Sequence, residues 1–120
     1  LGYATIGTND HKLFSFYDAL LASMVVATNR LGYVKCYEAD TGGTMLAITC
    51  PRNSEPQASG YGNMIPFLVV GLEAEALHTK AIKHRASDVG SPKQRLPFFY
   101  GAYVRDADGN KLCFFYMEAA

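Results

Sequence analysis

The order of secondary-structure patterns repeats along the chain, and this repetition constrains the fold more than any other feature. Residues Tyr3–Thr8 alternate like a strand, and apolar residues then recur at helical spacing from about His11 to Met24. Three short β-rich segments follow, at Val25–Arg30, Tyr33–Glu38 and Met45–Cys50. The first part of the chain therefore predicts the order β-α-β-β-β.

The same order recurs after Pro51–Asn63, a segment rich in proline and glycine that predicts a connecting loop. Met64–Val70 predicts a strand, and Glu73–Arg85 predicts a helix with acidic residues in its first turn and basic residues in its last. The remaining elements are a short strand, a loop and a hairpin, at Ser87–Val89, at Ser91–Pro97, and at Phe98–Arg105 with Lys111–Met117.

These patterns predict an α+β fold built from two βαβββ modules. We place module one at residues 1–50, a linker at 51–63 and module two at 64–120, within one domain that spans residues 1–120. A weak repeat of this kind points to two sheets that face a shared cleft. A chain of 120 residues can bury enough surface for such a cleft to be a real binding pocket.

Composition excludes several classes of partner. Lysine plus arginine and aspartate plus glutamate number 11 each, so the net charge is zero, and we expect neither nucleic acid nor a membrane as the main partner. Apolar stretches are too short to span a bilayer, and the start of the sequence has no export pattern, so we expect a cytoplasmic protein. The three cysteines lack CxxC spacing, which favours reduced thiols.

Two segments at the ends of the chain resemble the vicinal oxygen chelate superfamily, which includes glyoxalases, bleomycin resistance proteins and dihydroxybiphenyl dioxygenases. The first is Tyr3–Asp10 followed by Phe16–Leu21, which is similar to the superfamily's opening strand and helix. The second is Phe99–Asp106 followed by Ala107–Leu112, where an aromatic strand leads into an Asp-x-Asp-Gly-Asn turn. The resemblance implies that the two modules form a curved mixed sheet around a shared cleft, and it says less about activity.

Enzymes of this superfamily hold a divalent metal with a histidine in the first strand, a histidine in the fifth and a glutamate in the last. The resemblance places these positions on Tyr3, Pro66 and Cys113, none of which is a histidine or a carboxylate. His11, His78 and His84 are interpreted as exposed surface residues, so they do not replace the missing ligands. We therefore predict no metal and no cofactor.

Strand alternation selects the residues that line the predicted cleft. Ala4 and Ile6 should pack on the first helix, and Leu112 and Phe114 on the second. The candidate ligand-binding residues are then Tyr3, Thr5, Met64, Pro66, Leu68, Tyr103, Lys111, Cys113 and Phe115. A lining of this kind predicts a protein that sequesters a small apolar or aromatic molecule and forms a homodimer.

Two alternatives stay open. A metal-free enzyme, including a glyoxalase-like lyase, could use Cys113 or a cleft tyrosine such as Tyr3, although only Lys111 is a nearby cation that could activate the thiol. A structural dimer could instead fill the cleft with its own side chains.

The segment Asp106–Asn110 offers acidic oxygens beside a glycine, which could suggest calcium. It lacks the twelve-residue loop with a closing glutamate, so we predict a turn in which Gly109 takes a positive φ and the side chains of Asp106 and Asn110 bind nearby backbone amides.

Overall fold

The computed structural model describes residues 3–10, 13–24, 27–31, 34–38, 45–50, 56, 57, 60 and 62–117, with only the backbone at 27 and 29–31. Contacts divide the chain into two units, residues Leu1–Ser59 and Gly60–Ala120. Each unit has the order βαβββ, which confirms the predicted α+β fold of two modules. The elements are β1 (Tyr3–Gly7), α1 (Leu13–Leu20), β2 (Ala27–Leu31), β3 (Val34–Glu38), β4 (Met45–Thr49), β5 (Ile65–Leu68), α2 (Glu73–Lys83), β6 (Ser87–Leu96), β7 (Phe99–Arg105) and β8 (Lys111–Met117).

The sheet of unit 1 has the strand order β1-β4-β3-β2, with β1 parallel to β4 and the other pairs antiparallel. Helix α1 packs on one face of this sheet, where Lys35 forms a 2.7 Å salt bridge with Asp18. The hydroxyl of Tyr37 on β3 donates to the same carboxylate at 2.8 Å. Ile6 and Ile48 pair in register and are buried on this face, as alternation predicts for Ile6.

Helix α1 is shorter than predicted. It ends at Leu20 and is followed by turns over residues 21–24, in which the amide of Met24 bonds to the carbonyl of Leu21. Leu21 is nevertheless buried, so the apolar periodicity continued past the regular helix. Its predicted first residues, His11 and Lys12, lie outside the described part of the chain.

The sheet of unit 2 repeats the plan with the order β5-β8-β7-β6, in which β5 is parallel to β8. Leu112 and Phe114 of β8 are fully buried, in agreement with their predicted position under the second helix. Helix α2 buries Ala74, Leu77 and Ala81 against the sheet. It ends two residues before the predicted boundary, because Arg85 has a φ of 77°.

The segment after α2 was predicted wrongly. Instead of a short strand at Ser87–Val89 and a loop at Ser91–Pro97, one strand of ten residues, β6, runs from Ser87 to Leu96. Its pairing with β7 shifts register at three places, and these irregularities let the strand continue past Gly90 and Pro92. Proline and glycine favour a loop in the sequence, but an irregular edge strand accommodates both.

Both edge strands of unit 2 contain a proline. Pro66 lies in β5 opposite Cys113 of β8, and Pro92 lies in β6. Each of these strands pairs with one described neighbour in its sheet, so the missing proline N–H need not cost a ladder hydrogen bond.

The β7–β8 connection is the turn that the sequence predicts. Gly109 has a φ of 87°, and the carboxylate of Asp106 accepts hydrogen bonds from the amides of Asp108 and Asn110, both at 2.9 Å. The side-chain amide of Asn110 donates to the other carboxylate oxygen at 3.0 Å. In this turn the oxygens of the Asp106 carboxylate therefore accept hydrogen bonds from backbone and side-chain amides.

Neither described helix is long and apolar enough to cross a membrane. All three cysteines are free thiols, as predicted, and Cys113 is the buried one.

Candidate functional site

The sheet of unit 2 has one face that packs on α2 and one that is turned away from it. Nε2 of His78 on α2 lies 2.9 Å from the Asp88 carboxylate on β6, and Tyr100 of β7 donates to Glu75 of α2. Asp88 and Tyr100 therefore lie on the helix side of the sheet. Because side chains alternate along a strand, the neighbours of Tyr100 on β7 lie on the opposite side. We call this opposite surface the distal face; its strand residues include Pro66, Leu68, Phe99, Gly101, Tyr103, Lys111, Cys113 and Phe115.

One end of the distal face is aromatic and apolar. The rings of Phe99 and Phe115 stack with centroids 5.3 Å apart and an interplanar angle of 10°. Gly101 makes this possible, because a Cβ at that position would lie 2.7 Å from the Phe99 ring. Leu68 pairs in register with Phe115 and is 68% exposed. This end therefore presents apolar surface to which a planar molecule could bind.

The other end combines an aromatic ring with two cations. The guanidinium carbon of Arg95 lies 5.1 Å from the centroid of the Tyr103 ring, and Nζ of Lys111 lies 5.0 Å from it. Gly90 leaves room for this arrangement, since a Cβ there would lie 2.7 Å from Tyr103 and 3.0 Å from Arg95. Cation–π contacts of this length hold the charged groups beside the ring.

Cys113 lies between the two ends and is completely buried. Burial raises the pKa of its thiol, and this effect outweighs the opposing influences of the Tyr103 hydrogen bond and of the charges on Lys111 and Arg95. Burial likewise raises the pKa of Tyr103. Because the thiolate is the nucleophilic form, a raised pKa makes Cys113 a poor nucleophile at neutral pH.

The positions that the superfamily resemblance assigns to metal ligands do not fit a metal in unit 2. Pro66 and Cys113 are direct neighbours in the β5–β8 pairing, but proline offers no ligating side-chain atom, and burial raises the pKa of the Cys113 thiol, which disfavours the thiolate that binds metals. Within the described ranges, no group of three histidine, cysteine, aspartate or glutamate side chains could hold a metal ion.

The predicted site residues divide between the two units. Pro66, Leu68, Tyr103, Lys111, Cys113 and Phe115 share the distal face of unit 2. Met64 precedes β5 and is exposed. Tyr3 and Thr5 belong to unit 1, where they lie on the face of β1 opposite Ile6 and are exposed. The cleft shared by the two modules stays a prediction.

The interpretation of His78 as an exposed surface residue was wrong. The His78 residue is 9% exposed, because its side chain lies between α2 and β6. There it forms a hydrogen bond with Asp88. His84 is exposed as predicted, and His11 lies outside the described residues.

The sequence favoured a solvated loop position for Arg95, and Phe99 was not selected for the cleft lining, but both belong to the distal face. Arg95 was assigned to a loop, because Pro92 and Pro97 flank it, and only the irregular pairing of β6 brings it to Tyr103. Phe99 could have been found from its alternation with Gly101 and Tyr103 in β7.

Several solved protein structures share this fold. A glyoxalase/bleomycin resistance protein from Albidiferax ferrireducens T118 is similar over 98% of each chain, with a TM-score of 0.88 and 27% sequence identity. A glyoxalase/bleomycin resistance protein/dioxygenase family enzyme from Burkholderia phytofirmans PsJN is similar over 98% of each chain, with a TM-score of 0.73 and 20% identity. A glyoxalase-related enzyme from Fulvimarina pelagi covers 97% of this chain and 86% of its own, with a TM-score of 0.78 and 16% identity.

The sequence matches no protein-family model, and it matches no curated protein.

Proposed function

The chain belongs by its fold to the vicinal oxygen chelate superfamily, and from this premise we propose that it binds a small apolar or aromatic molecule reversibly, without a metal. The observation that carries the proposal is the chemistry of the distal face of unit 2. Its apolar end holds Leu68 and the stacked pair of Phe99 and Phe115. Binding surfaces for small molecules are typically apolar with few polar groups.

The fold alone does not decide between binding and catalysis, because superfamily members of one architecture support many functions. The side chains favour binding. Cys113 is buried and its pKa is raised, and the basic groups near it, Lys111 and Arg95, are cations that cannot accept its proton. Reversible binding requires no activated nucleophile, so the side chains of the distal face are sufficient for it.

Calorimetric titration with a neutral aromatic probe, 2-naphthamide, tests this proposal. We expect saturable binding that Leu68→Ser weakens about tenfold, because truncation removes apolar contact worth about 1.5 kcal/mol. Ile82→Ser is the control, since Ile82 is an exposed apolar residue of α2, on the other side of the sheet from the distal face. The Ile82 variant should bind like the unaltered protein.

The same titration distinguishes metal-free from metal-dependent binding. Protein treated with a chelator should bind 2-naphthamide as well as untreated protein, and added zinc, nickel or manganese should not raise its thermal stability. Absence of binding, or equal effects of Leu68→Ser and Ile82→Ser, would contradict the proposed use of the distal face. Binding that needs a metal would restore metal-dependent chemistry as the leading hypothesis.

A further inference from the structure

The distal face of unit 2 changes in chemical character along its length. Phe115 and Leu68 lie at the apolar end, whereas Lys111 lies four residues away on β8. A strand advances about 3.3 Å per residue, so the apolar and cationic ends are about 13 Å apart. This length suits a molecule of one or two fused rings with a polar substituent.

Neither cation at the polar end is neutralised by a carboxylate of the described residues. The ion pairs of the described side chains join Lys35 to Asp18 and His78 to Asp88, and they include neither Arg95 nor Lys111. A half-buried cation without a counter-ion is a favourable partner for an anion, because the protein already holds part of its charge away from water.

Arg95 is fixed in place by the backbone. Its Nε donates to the carbonyl of Gly101 at 3.2 Å, and its Nη2 donates to the carbonyl of Ser91 at 2.6 Å. A guanidinium carries about five N–H donors, so these two bonds leave others for a ligand. The group is therefore positioned before any ligand binds, which lowers the entropic cost of binding.

We infer that the distal face binds a planar aromatic molecule that carries one anionic group, such as a carboxylate. The anion binds at Arg95 and Lys111 beside the Tyr103 ring, and the aromatic body packs toward Phe115 and Leu68. This inference rests on the proposed function and adds the charge and the orientation of the ligand. It also predicts selection against cationic aromatic molecules, because Arg95 and Lys111 repel them.

Three naphthalene probes of similar shape separate charge from apolar contact: 2-naphthoate, neutral 2-naphthamide and cationic 2-naphthylmethylammonium. We expect 2-naphthoate to bind about tenfold more tightly than 2-naphthamide, the ratio that one charge-assisted hydrogen bond provides. The cationic probe should bind most weakly of the three. Calorimetry in the same buffer gives all three affinities.

Lys111→Met tests the cation directly, since methionine keeps the unbranched apolar stem and removes the charge. It should lower the ratio of the 2-naphthoate affinity to the 2-naphthamide affinity about tenfold, because the charge contributes only to binding of the anion. Lys111→Arg keeps the positive charge, so it should retain the preference for 2-naphthoate. Lys83→Met on the exposed side of α2 is the charge-matched control and should change neither affinity. Thermal melts of all variants establish that each is folded.

The outcomes separate the two proposals. If 2-naphthamide and 2-naphthoate bind equally well, the inference about the anion is wrong and the apolar binding function stands. If Lys83→Met weakens 2-naphthoate as much as Lys111→Met does, the preference reflects net charge and the assigned site is wrong. If no probe binds, the proposed function fails and this inference fails with it.

Discussion

Asp106 is 4% exposed, and its carboxylate accepts three hydrogen bonds inside the β7–β8 turn. Asp106→Ala would leave the amides of Asp108 and Asn110 without this acceptor, and an unsatisfied buried donor is costly. We expect a loss of about 2–4 kcal/mol in the free energy of unfolding, measured by urea denaturation.

Two further variants make the Asp106 test specific. Asp106→Asn keeps one acceptor oxygen, so its loss should be smaller. Ala107→Ser changes an exposed position of the same turn and should alter stability by less than about 0.5 kcal/mol. A similar loss in all three variants would show that the turn is sensitive to any change, and the role given to the Asp106 carboxylate would be wrong.

Single residues were predictable where one local rule decides their environment. Alternation alone places Leu112 and Phe114 inside the fold, and the demand for a positive φ identifies Gly109 as a turn residue. His78 was not predictable in this way, since its burial depends on Asp88 ten residues later in the chain. The interpretation of Arg95 as a solvated loop residue was wrong for the same reason, because its environment is the ring of Tyr103 on the next strand.

At the scale of the elements, Asp88 joins α2 to β6. Its carboxylate contacts His78 and accepts hydrogen bonds from the amide of Gly90 and the hydroxyl of Ser91. These bonds, that of His78 first, lower the pKa of Asp88 from its ordinary 3.8 to about 2. Because the folded-state pKa lies below the unfolded-state value, the ionised carboxylate stabilises the fold above pH 3.8. That contribution disappears as the pH falls toward 2.

Asp88→Asn should remove this part of the pH dependence. We expect the variant to be less stable than the unaltered protein at pH 5, with the difference between them shrinking as the pH falls from about 4 to about 2. Urea midpoints at several pH values measure the effect. In a His78→Asn background the substitution should matter less, and parallel pH curves in every background would refute the assigned contact.

The elements themselves were predictable to different degrees. The strands with clear apolar alternation and the helix Glu73–Lys83 follow from local pattern. Strand β6 does not, since Gly90 and Pro92 locally favour a loop, and the strand exists only because it pairs with β7 through shifted register. The cationic end of the distal face inherits this limit, because β6 supplies Arg95.

At the scale of the whole molecule, we predict self-association of the chain as a homodimer. Val70 and Leu72, on either side of Gly71, are 75% and 76% exposed, and paired apolar residues of this kind often mark an interface. Sedimentation equilibrium should give about twice the chain mass of 13.1 kDa, and Val70→Asp with Leu72→Asp should return the single-chain mass.

Val89→Asp supplies the control for the dimer, because Val89 is an exposed valine on β6. It should leave the sedimenting mass unchanged. A single-chain mass for the unaltered protein at every concentration would contradict the prediction, and an effect of Val89→Asp alone would move the interface to β6.

The two prolines at the margins of the unit 2 sheet have a consequence for the behaviour of the protein in concentrated solution. An incoming extended strand from another molecule would need a continuous row of amide donors, and Pro66 and Pro92 each interrupt the row on their own margin. The register shifts of β6 further distort its outer edge. Both margins are thereby poor templates for fibrillar aggregation, even though the sheet carries exposed Leu68, Val89 and Leu96.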